Sequence, residues 1–169
     1  MINLNDKIPN AESFTYGELI ASNIAAKYNI NNIPTNPAYW DSLEYLAVNC
    51  LQPARNHFGI PIFVSSGYRS PELNAHPKVK GSPTSFHSVA CAADIDFGNV
   101  TTPSLNDLFT WLYHNVPFSE LIAENLPNRW IHIALMKGRE NERKTKYKLI
   151  GEPVKRASFE EIQNILRGI

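Results

Sequence analysis

The segment Trp130 to Met136, WIHIALM, alternates between two kinds of side chain. Ile131, Ile133 and Leu135 share one side of an extended chain. Trp130, His132, Ala134 and Met136 share the other, because successive residues of a strand point to opposite faces. This pattern demands a strand with one face in a core, and it commits a histidine to the other face. ELIAE, residues 120–124, is a second apolar run, and the intervening NLPN makes the two a hairpin. With a turn centred on Asn128, Glu124 falls directly opposite His132, side chains about 5 Å apart on one face. Glu120, at the start of the same strand, is the rival acid.

The rest of the chain supplies helices and further short strands. Residues 1–12 read as a flexible N-terminal arm, and residues 13–169 as a single domain, a length suited to one core. Thr15 and Glu18 form a capping pattern, with Phe14 stapling to Leu19, so a first helix is expected through YGELIASNIAAKY. NINNIPTNPAYW reads as loop. Leu43, Leu46, Ala47, Cys50, Leu51 and Ala54 recur at spacings of three and four, giving a helix over about 41–58, which Pro53 should kink or break. IPIFVSS reads as a strand ending near Ser65. Residues 70–84, with three prolines and one glycine, read as a long loop of the kind that often carries function. A strand follows at 92–97. Ser104 and Asp107 open a helix whose buried stripe is Leu105, Leu108, Phe109 and Leu112. A strand at 146–150 and a last helix from Ser158, with Glu161 in the capping position and Gly168 at its end, complete an α+β pattern.

SPTSFHSVACAADIDF, residues 82–97, sets a histidine and two aspartates among very small side chains. His87 and Asp94 are seven residues apart, so on one straight strand they would face opposite ways. Both reach a single ion only if the chain turns between them, which Ser88, Ala90, Cys91, Ala92 and Ala93 leave room for. His132 is the candidate third ligand. Two imidazoles and a carboxylate suit zinc and leave its fourth position for water, the pattern of a catalytic site. Such a site carries a net charge of about +1, which favours ionisation of the water. A carboxylate beside that histidine, Glu124, is placed as the general base. Asp96 shares the strand face of Asp94 and is either a partner of a ligand histidine or the ligand in its place. His57 and His114 read as surface residues, and His76 as a loop residue able to flank substrate without binding metal.

Composition removes several function classes. Sixteen basic residues cancel sixteen acidic ones, which gives no general attraction to nucleic acid. Residues 137–156 are locally basic, with eight Lys or Arg against three Glu, and read as a solvated surface hairpin or as a grip on an anionic polymer. Tyr147 alone could stack on a base there, which argues against nucleic acid. No apolar run is long enough to span a membrane. The N-terminus lacks the regions of a signal peptide, so synthesis in a cytoplasm is expected. Cys50 and Cys91 are too few for a disulfide framework and read as buried fillers.

VSSGYRSPELN, GSPTSFHSVACAADI and ELIAE…RWIHIAL, in this order, resemble the zinc D-Ala-D-Ala carboxypeptidase and endolysin family of peptidases, the M15 group. FTYGELIAS and LQPAR are similar to the N-terminal helices of the same subgroup. The resemblance covers roughly residues 13–136. It implies a Hedgehog/DD-peptidase-like zinc peptidase fold, a small antiparallel sheet flanked by helices. It implies one zinc ion per chain held by His87, Asp94 and His132, with Glu124 as base. Arg69 would bind a substrate carboxylate or carbonyl, and Ser85 would hydrogen-bond substrate or a ligand. The implied substrates are peptidoglycan stem peptides, cut by a monomer with no nucleic-acid or membrane partner. The bacterial cell wall would be reached after release, as by a phage lysin. Two positions depart from the pattern. Arg129 stands where many relatives carry the base, and Ala90 where they carry glycine, a strained choice if φ is positive. These departures leave room for a catalytically inactive zinc-bound module of the same fold.

Overall fold

The computed structural model describes residues 2–126 and 130–168. The chain opens with a hairpin of β1 (Lys7–Ile8) and β2 (Ala11–Thr15), followed by α1 (Asn23–Tyr28). α2 (Pro37–Leu46) runs through a π-turn segment (Ala47–Leu51) into α3 (Gln52–Phe58). β3 (Phe63–Ser66), α4 (Pro71–Ala75), a 3-10 turn (Phe86–Val89) and β4 (Ala92–Asp96) come next. The remainder is α5 (Leu105–Asn115), β5 (Glu120–Leu126), β6 (Trp130–Ala134), β7 (Lys144–Leu149), β8 (Lys155–Arg156) and α6 (Phe159–Arg167). The architecture is α+β. Among the described residues, a two-stranded antiparallel sheet accompanies a six-stranded one ordered β3-β4-β6-β5-β7-β8, in which the β5–β7 pair alone is parallel.

The larger sheet has two unlike faces. Ala93, Ile95, Leu121, Ala123, Ile131 and Ile133 line one of them, fully buried against Leu108, Phe109 and Leu112 of α5 and the rest of the core. Burying side chains of that size drives folding at roughly 1.5–3 kcal/mol each for the larger ones. Asp94 pairs with His132 across the β4–β6 ladder, and Ile122 pairs with His132 across the β5–β6 ladder, so these residues share the opposite face.

Several expectations are corrected by tertiary packing. Residues 1–12 do not form a loose arm throughout: Ile8 and Ala11 are buried in the main core. The capping bonds between Thr15 and Glu18 form, yet no helix starts there, because Gly17 N–H donates at 2.8 Å to Leu4 O, in the segment before β1. The helix begins anew at Ser22, whose Oγ accepts from Ala25 N. The second helix starts four residues before its expected position, at Pro37 behind an Asn36 cap, where a missing N–H costs nothing. Its stripe from Leu43 to Ala54 is wholly buried. Pro53 does not break it. Gln52 N–H bonds Ala47 O, one residue further back than in an α-helix, and the wider turn absorbs the proline. Within 70–84, Ser70 caps the short α4. The expected hairpin exists in a different register: Glu124 is opposite Trp130, and Glu120 is opposite Ala134. The turn on Asn128 and the Arg129 position lie outside the described residues.

Candidate metal centre and cleft

Gly67 is where the centre begins. Tyr68 N–H donates to Leu19 O at 2.8 Å, and a Cβ on Gly67 would overlap that same carbonyl. The close approach aims Gly67 O at the ring of His87, which lies 2.6 Å away through Nδ1. A carbonyl can only accept, so His87 carries its proton on Nδ1 and presents a lone pair at Nε2. The 3-10 turn that holds His87 is capped by Ser85 Oγ, which accepts from His87 N at 3.3 Å. It closes at Ala90 with φ 59°, which reverses the chain into β4. That reversal lets residues seven apart face one point.

His87 Nε2 is 3.1 Å from Asp94 Oδ1 and 3.1 Å from His132 Nδ1, and the last two atoms are 2.9 Å apart. All three residues are buried. Three electron-pair donors at one point repel one another unless a proton or a cation lies among them. Ligand atoms about 2.0–2.1 Å from a tetrahedral zinc ion lie roughly 3.3 Å from each other. The donor set and its spacing therefore fit a divalent ion, and among the described residues this is the His/Cys/Asp/Glu group compact enough to hold one. The remaining Asp94 oxygen, Oδ2, accepts from the Arg69 guanidinium at 2.6 Å, while Arg69 Nε donates to Ser66 Oγ at 2.8 Å. A β-bulge between Val64 and Ser66 turns Ser66 toward that bond.

Electrostatics follow from this packing. Burial pushes His87 down, against the charge of Asp94, and favours a neutral imidazole. Burial pushes His132 down too, but its hydrogen bond to Asp94 and the charges of Asp94, Glu124 and Glu120 hold it above its ordinary value. Asp94 is opposed by burial, yet the two histidines keep its carboxyl well below the usual range. Glu124 is raised, first by burial and then by Asp94, with Lys148 and Arg69 among the opposing charges. The centre lies in the floor of a cleft of about 810 Å³. Glu120, Ile122 and Glu124 continue the floor, the 79–89 segment forms one wall, and Lys146 and Lys148 of the neighbouring strand β7 also line the cleft.

The model of the family described as Peptidase M15 matches residues 12–134. The chain belongs to the peptidase M15 family. No curated protein matches it. As a member of this zinc peptidase family it is a zinc-dependent metallopeptidase, a hydrolase of peptide bonds. The match begins in β2 and ends with the last residue of β6, so β7 and its lysines lie beyond the M15 pattern.

Placed on this M15 chain, the singled-out residues divide clearly. His87, Asp94 and His132 converge, and Arg69, Ser85, Glu120 and Glu124 line the same cleft. Asp96 does not join them: its Oδ1 accepts from Gly98 N at 2.6 Å in the turn after β4. His76 packs on Tyr28 with ring centroids 4.5 Å apart, outside the cleft lining. His57 and His114 are exposed, and Cys50 and Cys91 are buried free thiols. The basic 137–156 segment pairs β7 with β8 as a hairpin, but Arg139, Lys146 and Lys148 point into the cleft. Sequence reasoning missed two supports. Asn32, placed in a loop, is buried and donates to Ile20 O and Tyr68 O while accepting from Ser70 N. Lys146 forms an ion pair with Glu120. The alternation of lysines in KTKYKL was the available signal for the second; nothing local marked Asn32.

No helix among the described residues is long and apolar enough to cross a membrane.

Proposed function

We propose that this zinc peptidase hydrolyses the peptide stems of bacterial peptidoglycan, as a D-Ala-D-Ala carboxypeptidase or as an endopeptidase within the stem, with His87, Asp94 and His132 holding one zinc ion. The observation that carries the reading is the meeting of His87 Nε2, Asp94 Oδ1 and His132 Nδ1 within 3.1 Å in the floor of an open cleft. Zinc bound there supplies Lewis acidity toward a scissile carbonyl and acidifies a water. Glu124 takes the proton of the attacking water and passes it to the leaving amine. Its raised pKa brings it closer to neutral pH, which suits both halves of that transfer. Arg69 holds Asp94 in place through its bond to Oδ2, and its guanidinium edge on the cleft suits a planar substrate carboxylate or carbonyl. Ser85 caps the turn that carries His87 and offers its hydroxyl proton to substrate from the same wall. The cell wall as substrate places its work outside the cytoplasm of the target bacterium, after release in the manner of a phage lysin.

The test is digestion of purified cell-wall fragments, followed by mass spectrometry, with wild-type protein, with chelator, and with Glu124→Gln. Wild type should cut one bond type and chelation should stop it. Glu124→Gln should retain zinc and lose about 10²–10⁴-fold in rate. Stoichiometric zinc with no bond cut by wild type would make the chain an inactive module and end the peptidoglycan reading. Full activity of Glu124→Gln would move the base elsewhere.

A further inference from the structure

Two carboxylates flank His132 on β5, and the structure gives them different surroundings. Ile122 is directly opposite His132, so Glu120 and Glu124 sit one step to either side on the same face. Glu124 lies beside Lys148 at 3.9 Å, a loose pairing. Glu120 is held far more tightly. It is buried, its Oε2 forms an ion pair with Lys146 Nζ, and its Oε1 lies 3.8 Å from His132 Nε2. That nitrogen is itself buried and has no hydrogen-bond partner. With Nδ1 aimed at His87 and Asp94, the ring must carry its proton on Nε2 whenever Nδ1 gives up its lone pair. A buried N–H left unpaired costs about 1–3 kcal/mol. Glu120 Oε1 is the acceptor at hand, roughly 1 Å beyond hydrogen-bond length.

We propose that Glu120 and Lys146 form a positioning pair for His132: Glu120 accepts the Nε2 proton and fixes the tautomer and tilt of the ring, and Lys146 anchors Glu120. The inference rests on the zinc reading above and goes beyond it. The anchor is supplied by β7, a strand outside the family match, laid parallel to β5 so that Lys146 falls opposite Ile122. Glu120 touches neither substrate nor the reacting water in this scheme; it acts through His132. A carboxylate behind a ligand histidine raises the basicity of the ring and stiffens the site, an effect worth 10–100-fold in metal affinity. The ion pair with Lys146 also keeps Glu120 from swinging forward as a competing ligand.

The experiment compares wild type, Glu120→Gln, Glu120→Ala, Lys146→Met and Glu124→Gln by zinc competition with a chromophoric chelator. It adds the visible spectrum of the cobalt-substituted protein and proton NMR of the zinc-loaded protein. Wild type should show a slowly exchanging imidazole N–H assigned to His132 Nε2. Glu120→Ala should lose that signal, alter the cobalt spectrum and weaken zinc binding 10–100-fold. Glu120→Gln, which keeps an acceptor oxygen, should lose less than Glu120→Ala, and Lys146→Met less again. Glu124→Gln should weaken zinc binding less than Glu120→Ala and leave the His132 Nε2 signal in place. If Glu120→Ala and Glu120→Gln both fold and bind zinc as tightly as wild type, or the His132 N–H signal survives in Glu120→Ala, the pair has no such role. Absence of zinc binding in wild type would instead sink the zinc reading and take the pair with it.

Discussion

The two faces of the six-stranded sheet come from the same strands in the same register, yet they do opposite things. Ala93, Ile95, Ile131, Ile133, Leu121 and Ala123 face the helices, fully buried. One residue along, Asp94, His132, Glu120 and Glu124 face the cleft, with Asp94, His132 and Glu120 buried as well. Burial is thus shared, and the difference is chemical. On the apolar face a side chain contributes by leaving water, and any neighbour of the right shape will serve. On the polar face each buried group needs a specific partner, because an unpaired one costs more than a paired one returns. On the second face, Asp94 and His132 therefore join a network with Gly67, Arg69 and His87 from the segments beside the sheet, in which each member fixes the next. A period of two lets one strand serve a core and a reaction site at once.

This contrast can be broken first at His87. His87→Ala should abolish stoichiometric zinc binding against a chelator while far-UV circular dichroism stays native, since the core face is untouched. Retained zinc in that variant would mean that the centre lies elsewhere. The converse change is Ile133→Ala on the opposite face. It should cost about 2–5 kcal/mol in urea unfolding and leave one zinc per folded chain. A loss of zinc at full stability would show that the faces are not separable. A subtler probe is Lys148→Ala. Glu124 works as a base only when ionised, so activity falls as pH drops through its pKa. Lys148 holds that pKa down against burial, and its removal raises it, moving the acid limb of kcat/KM to higher pH. A limb that stays put, or moves to lower pH, would separate Lys148 from the base. The smallest effect is expected from Ala90→Gly. Ala90 adopts φ 59°, a conformation costing a non-glycine residue about 1–2 kcal/mol, whereas glycine adds about 0.4–1 kcal/mol of unfolded-chain entropy. The net gain should be about 0.5 kcal/mol, read as a small rise in Tm. A lower Tm would show that the lost methyl contact outweighs the strain.

Local signals carried the elements that depend on neighbours in sequence. The capping boxes at Ser104 and Ser158 form, because both partners lie within four residues. The stripe from Leu43 to Ala54 and the alternation from Trp130 to Leu135 bury the residues their periods demand. The metal candidates were legible for a similar reason: a histidine and an aspartate separated by small residues announce a chain reversal, and Ala90 provides it. The ladder register was not legible. Glu124 moved from opposite His132 to opposite Trp130, since register is set by the packing of whole strands and by a turn whose geometry no single residue dictates. The Thr15 helix failed in the same way, when a distant carbonyl at Leu4 took Gly17 N–H.

What the sequence determined by itself, then, was which side chains share a face and which positions can hold a proton or an ion, because backbone periodicity and side-chain chemistry travel with the residue. Only the tertiary structure decided which of two glutamates is clamped by a lysine, which oxygen of Asp94 is left for the centre, and that the basic strand β7 lines the cleft beside β5. Those outcomes depend on contacts between residues 23 to 26 positions apart, and their free energies become comparable only after the sheet has brought them together.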